Sequence, residues 1–210
     1  MTTTVVPDAA VRPRRRGAPL AAVAGVLALV AFAAAAVVFN DPLRGASTPD
    51  EAAAALEGSS ITLAATLLGA YALLAIAVTG RLAVRLARGG ESASTRLLPL
   101  LGAGHVLLLT AAFAAPAAAL AVGSQVFTGG VSATGAETAL VLMNLAHPMA
   151  AWVGAGFLIA VAVAARDSRP LAVVSGVFAL GLLLPPVGWA VTYLMPFWFA
   201  GVGIWLWRRG

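Results

Sequence analysis

Residues 171–207 read LAVVSGVFALGLLLPPVGWAVTYLMPFWFAGVGIWLW, 37 positions without a charge, closed by Arg208-Arg209. A helix rises about 1.5 Å per residue and the hydrocarbon core of a bilayer is about 30 Å thick, so roughly 20 apolar residues make one crossing. This block is too long for one crossing and just long enough for two. Pro185-Pro186 followed by Gly188 divides it, because consecutive prolines remove two backbone donors and glycine relaxes the turn. The spacing predicts a tight hairpin over 185–190, between a span at 171–184 and another at 191–207.

Composition places the rest of the chain in the same solvent. Of 210 residues, 61% are hydrophobic and 10% charged, and the mean hydropathy is +0.96. Soluble domains average about 45–50% apolar and about 25% charged, and disordered chains have low hydrophobicity with high net charge, so both classes are excluded. Four further apolar stretches, at 20–39, 61–80, 97–120 and 138–165, bring the expectation to an all-α, six-helix transmembrane bundle. A basic tail, 1–19, precedes one membrane domain, 20–207, and 208–210 form the end. The chain has no cysteine, so disulfides, thiolate metal sites and Cys nucleophiles are absent. Its cations are all Arg, and its abundant Ala, Gly and Val suggest a high-GC bacterial source.

Charge placement gives an orientation, since Arg accumulates in short cytoplasmic loops. Alternating six spans from an inside N-terminus puts Arg12, Arg14, Arg15, Arg16, Arg81, Arg85, Arg88, Arg96, Arg166, Arg169, Arg208 and Arg209 inside, and only Arg44 outside. Both termini are therefore expected in the cytoplasm of a bacterial cell, with the protein in its inner membrane. The +5 net charge reports this asymmetry rather than nucleic-acid binding. Trp205 and Trp207 before Arg208, and Trp189 with Tyr193, are read as anchors at the two headgroup levels. Arg14-Arg15-Arg16 and the alanines at 33–36 also fit a cleaved export signal, but the intervening apolar run exceeds the usual 7–15 or so residues. A twin-arginine signal is likewise a poor match, since Gly17-Ala18-Pro19 follows.

The first outer loop carries the clearest local motif. Thr48-Pro49-Asp50-Glu51 reads as an N-cap, a proline at the first helical position, and acids facing the positive helix end. A short outer helix from 49 to 57, stopped by Gly58, is expected to cap the bundle or lie at the interface. Thr134-Gly135-Ala136-Glu137 repeats the pattern at the start of span four, so Glu137 has a capping role rather than an ion-binding one. Arg81, Arg85 and Arg88, at i, i+4 and i+7, share a helix face past span two and are candidate contacts for anionic headgroups of the inner leaflet.

Two ionisable residues fall deep within spans, His105 and His147, and Asn144 lies one turn before His147. Hydrocarbon penalises such groups, so they form the candidate intramembrane polar site. Hydrogen bonding between helices is the default role, and Pro148 adds a local need by withdrawing an amide from Asn144. A polar cavity of a small transporter or channel component is the alternative. Bis-imidazole haem ligation of a redox subunit is the next, disfavoured because consecutive helices pack too closely to flank a porphyrin. No cofactor, metal or catalytic residue is expected. Small residues at every fourth position, Ala146, Ala150 and Gly154, and Gly156, Ala160 and Ala164, permit close helix approach.

In the order of its features (basic N-terminus, one span, an acidic outer loop of 40–60, a second span ending in Arg, and a short Trp-bearing last span), the chain resembles uncharacterised bacterial six-span integral membrane proteins. That resemblance implies fold and location, and supplies no site residues. The expected function is that of a non-enzymatic membrane component whose partners are the lipid bilayer with its anionic inner leaflet and a membrane protein or a second copy of itself.

Overall fold

The computed structural model describes residues 18–39, 45–125 and 129–209. The basic cluster Arg12, Arg14, Arg15 and Arg16, together with Asp41 and Arg44, lies outside the described residues. Among the described residues the chain is helical throughout, with seven helices: α1 Ala18–Phe39, α2 Pro49–Glu57, α3 Ile61–Ala87, α4 Ala93–Gln125, α5 Ala133–Ala164, α6 Arg169–Leu183 and α7 Pro185–Arg209. Five of them, α1, α3, α4, α5 and α7, are long and apolar enough to cross a membrane. The apolar α6 has 15 residues, which is roughly 22 Å at about 1.5 Å per residue.

The break between α6 and α7 is sharper than the hairpin expected over 185–190. It is confined to Leu184, whose backbone is extended at φ −86°, ψ 109°, and Pro185 already opens α7. Steric conflict with a following proline drives a residue out of the helical region, and proline itself fits the first turn, where its missing N–H was unpaired anyway. The proline pair therefore starts the last helix instead of forming a loop. Gly188 sits within that first turn because a Cβ there would lie 2.8 Å from the Leu182 carbonyl oxygen.

The helices form a closed ring in the order α1, α3, α4, α5, α6, α7, and α7 also reaches inward to touch α3 and α5. Interior aromatic rings join these elements. Phe32 of α1 meets Tyr71 of α3 edge-on at 5.3 Å, and Tyr71 meets Phe199 of α7 at 6.2 Å. Phe199 stacks on Phe157 of α5 at 6.1 Å, and Phe157 meets Trp198 edge-on at 5.3 Å. All five are buried. Reading Trp only as a headgroup anchor misses Trp198, which belongs to the core; the exposed Trp189 and Trp207 are on the outside.

Helices α1 and α7 pack antiparallel along a seam of small residues. Ala21, Gly25, Ala28, Phe32 and Ala35 are the buried positions of α1, a spacing of four and three that makes one face. A Cβ on Gly25 would stand 2.8 Å from the Phe199 carbonyl oxygen, and one on Gly203 would stand 2.5 Å from that of Ala21. Backbone therefore lies against backbone, the close approach that small residues permit in membrane helices. This pairing brings the start of α1 and the end of α7 to the same end of the bundle.

At the opposite end, α2 forms as the sequence predicts. Thr48 accepts a hydrogen bond from the Glu51 amide at 3.2 Å, and the Glu51 carboxylate accepts from the Ser47 amide at 2.7 Å. Ala52, Ala53 and Leu56 pack with Val131 and Ala136 in a second small core, so α2 caps the α4–α5 end. Glu57 fastens it, accepting from the Val131 amide at 2.8 Å. The α5 cap differs from expectation. Ser132, not Thr134, is the N-cap; its backbone is extended and its hydroxyl accepts from the Gly135 amide at 3.0 Å. An extended Ser preceding the helix supplies the acceptor that Thr134, already in the first turn, cannot. Glu137 is exposed and lies past the capping position.

Short α6 is tied to the core by Ser175, which is fully buried and accepts a hydrogen bond from the Trp198 indole N–H at 3.3 Å. Replacing Ser175 with alanine strands that donor. Interhelical bonds of this kind contribute about 0.6 kcal/mol on average and about 1.7 at most, so Ser175→Ala is expected to lower stability by about 1 kcal/mol. Unfolding in mixed detergent–SDS micelles, followed by tryptophan fluorescence, checks this.

Candidate functional site

The polar residues expected deep within the spans are positioned by the α4–α5 pair. His105, on α4, is fully buried, and its Nδ1 lies 2.8 Å from the carbonyl oxygen of Ala150 on α5. The carbonyl can only accept, so Nδ1 carries the proton and Nε2 keeps its lone pair. Gly154 makes the contact possible: a Cβ there would stand 2.6 Å from His105 Nδ1. The spacing of Ala150 and Gly154 is thus more than a packing stripe, because it forms the notch that seats the imidazole. Gly102, one turn before His105, admits Thr79 of α3 in the same way, with a Cβ there 2.5 Å from Thr79 Cγ2.

His147 precedes Ala150 by three residues on α5 and is half-buried, its ring centroid 5.8 Å from that of Tyr193 on α7. Asn144 does not join the two histidines in the interior. It is exposed, and its amide donates to the Leu140 carbonyl of its own helix at 2.9 Å. Of the five buried polar atoms without a hydrogen-bond partner among the described residues, three are Tyr71 Oη, His105 Nε2 and His147 Nε2. They come from consecutive helices α3, α4 and α5. Each has capacity for one further hydrogen bond, and the two imidazole nitrogens are of the type that ligates metals. No group of three or more His, Cys, Asp or Glu suited to a metal occurs among the described residues. Sequence reasoning missed Tyr71, whose hydroxyl gave no signal in a span otherwise read as apolar.

The basic stripe at the end of α3 is split by the fold. Arg81 is exposed on the helix, whereas Arg85 and the capping residue Arg88 line a cavity of about 410 Å³ between the α3–α4 and α5–α6 connections and the end of α7. Arg166, Ser168 and Arg209 line it too. Arg209 is held over the Trp205 ring at 5.5 Å, so this tryptophan orients a cation. Ser168 could have been found from the sequence, because Ser168-Arg169-Pro170 has the form of a helix start. Comparison of the chain with protein-family models, curated proteins and solved structures gave no match.

Proposed function

We propose that the chain is a six-crossing protein of a bacterial inner membrane, both termini cytoplasmic, acting as a non-enzymatic component that packs with lipid and a membrane partner. One observation carries the functional part: interior polar side chains bond helix to helix, His105 to Ala150 and Trp198 to Ser175. Such groups stabilise a bundle rather than line a path. Two features support the architecture. The antiparallel α1–α7 seam suits an even number of crossings, and α6 makes the sixth as a short span accommodated by local thinning of the bilayer and snorkelling of Arg166 and Arg169. The outward faces bear large apolar side chains, among them Val141, Leu142, Leu145, Val177 and Leu180, suited to lipid tails.

A second reading, a transporter or channel component, is favoured by the unpartnered Nε2 of His147. Proton flux separates the two. Vesicles containing the purified protein are expected to dissipate an imposed proton gradient no faster than empty vesicles. A flux that His147→Leu abolishes while the bundle stays folded would replace the first reading with the second.

A further inference from the structure

We propose that the cavity between the α3–α4 connection, the α5–α6 connection and the end of α7 binds a phosphoryl anion, held between Arg85 and Ser168 at the start of α6. Arg85 is half-buried, its Nε has no access to solvent, and its guanidinium makes no ion pair or hydrogen bond among the described residues. Withdrawing a guanidinium nitrogen from water without a partner is costly, which points to an acceptor supplied from outside the chain. Ser168 gives the independent indication. It is 4% exposed, lines the cavity, and its Oγ is buried without a partner. It holds the N-cap position of α6, yet its side chain does not cap the helix. The second helical position is Pro170, which has no N–H to give, and the hydroxyl remains free to donate to a ligand.

The start of a 15-residue helix, Ser168 with its unengaged hydroxyl, and the unpaired Arg85 therefore belong to the lining of one space. Arginine presents a planar fork of donors matched to phosphate oxygens, and helix N-termini favour the same anions. Four arginines line the cavity, Arg85, Arg88, Arg166 and Arg209, against two carboxylates, Glu91 and Asp167. Glu91 is paired at 2.9 Å with Arg96, which is not itself a lining residue. Asp167 lies beside Gly89, and neither acid forms an ion pair with Arg85 among the described residues. The volume of about 410 Å³ is in the range of about 300–1,000 Å³ typical of small-ligand sites. Trp205 and Trp207 mark this end as a membrane boundary, so the phosphoryl group can come from a phospholipid headgroup or from a soluble phosphate.

The lipid source rests on the membrane reading above, whereas binding itself does not, since an inverted topology would leave binding in detergent unchanged. The test uses the full chain purified in neutral detergent. Retention of phosphatidylglycerol against phosphatidylcholine is read by native mass spectrometry, and inorganic phosphate is titrated by calorimetry. Preferential phosphatidylglycerol retention identifies the headgroup as source, and phosphate binding without lipid preference identifies the soluble anion; either supports the site. Arg85→Gln is expected to weaken binding about tenfold or more, the scale of a charge-assisted hydrogen bond. Ser168→Ala, which removes a hydroxyl with no partner in the fold, should weaken it a few-fold on the same scale and keeps the test valid if Arg85→Gln misfolds. Arg208→Gln, which removes the same charge at the same end of the bundle from outside the cavity lining, should leave binding unchanged. Binding of neither probe, or an equal loss from Arg208→Gln, would overturn the proposal.

Discussion

Replacing Gly203 with leucine is expected to separate α1 from α7 and to destabilise the bundle by about 3 kcal/mol or more. The first added carbon would meet the Ala21 carbonyl oxygen at 2.5 Å and the Ala22 Cα at 3.3 Å. These are backbone atoms of a helix and cannot rotate aside as a side chain does. Overpacking a close-packed site usually costs about 1–3 kcal/mol, and with rigid backbone opposite, Gly203→Leu should fall at or beyond the upper end. Gly25→Leu should act alike, because its Cβ meets Phe199 and Ala200 backbone at 2.8 and 3.1 Å. Gly201 supplies the control. It lies two residues away on the exposed face, with nothing within 4 Å of an added Cβ. Gly201→Ala is expected to leave stability unchanged or raise it by up to about 1 kcal/mol, since alanine is favoured over glycine in a helix interior. Thermal unfolding of the three variants in one detergent checks the ordering, and a Gly203→Leu protein as stable as Gly201→Ala would refute the seam.

His105→Ala is the second large effect. It removes a fully buried ring and its bond to Ala150. Large-to-small replacement in a core costs about 2–5 kcal/mol, and the interhelical bond adds about 0.6 more, so a loss of about 3 kcal/mol is expected. His147→Ala should cost about 1 kcal/mol or less, because that side chain is half-buried and has no interhelical bond among those found. Unfolding in mixed SDS micelles measures both. Equal and small losses would mean that His105 is not a packing residue, and its retention in the membrane would then require a chemical role.

Features set by neighbouring residues were legible before the fold was known. Thr48 and Pro49 start α2 because capping involves atoms three positions apart, and Pro185 breaks the last apolar block because its ring acts on the residue before it. Where two local signals compete, the outcome is shifted, as with Ser132 in place of Thr134. Contacts between distant segments were not legible. In a chain so rich in alanine, the face Ala21, Gly25, Ala28 looks like many others, and nothing within α1 names α7 as its partner. The sequence places His105 and His147 deep within their spans, but depth does not fix rotation about the helix axis. That rotation carries His105 into the notch at Gly154 and leaves Asn144 on the exposed face. Likewise Arg81, Arg85 and Arg88 share one helix face, but only the α5–α6 connection and α7 enclose two of them.

An even number of crossings with a cytoplasmic N-terminus puts the C-terminus in the cytoplasm, and the location of that end separates it from an odd count. A fusion after Gly210 to a reporter that fluoresces only in the cytoplasm should be bright, and the same fusion to a phosphatase active only outside should be silent. An active phosphatase and a dark cytoplasmic reporter would contradict the account, removing α6 as a crossing and placing Arg208 and Arg209 on the wrong side.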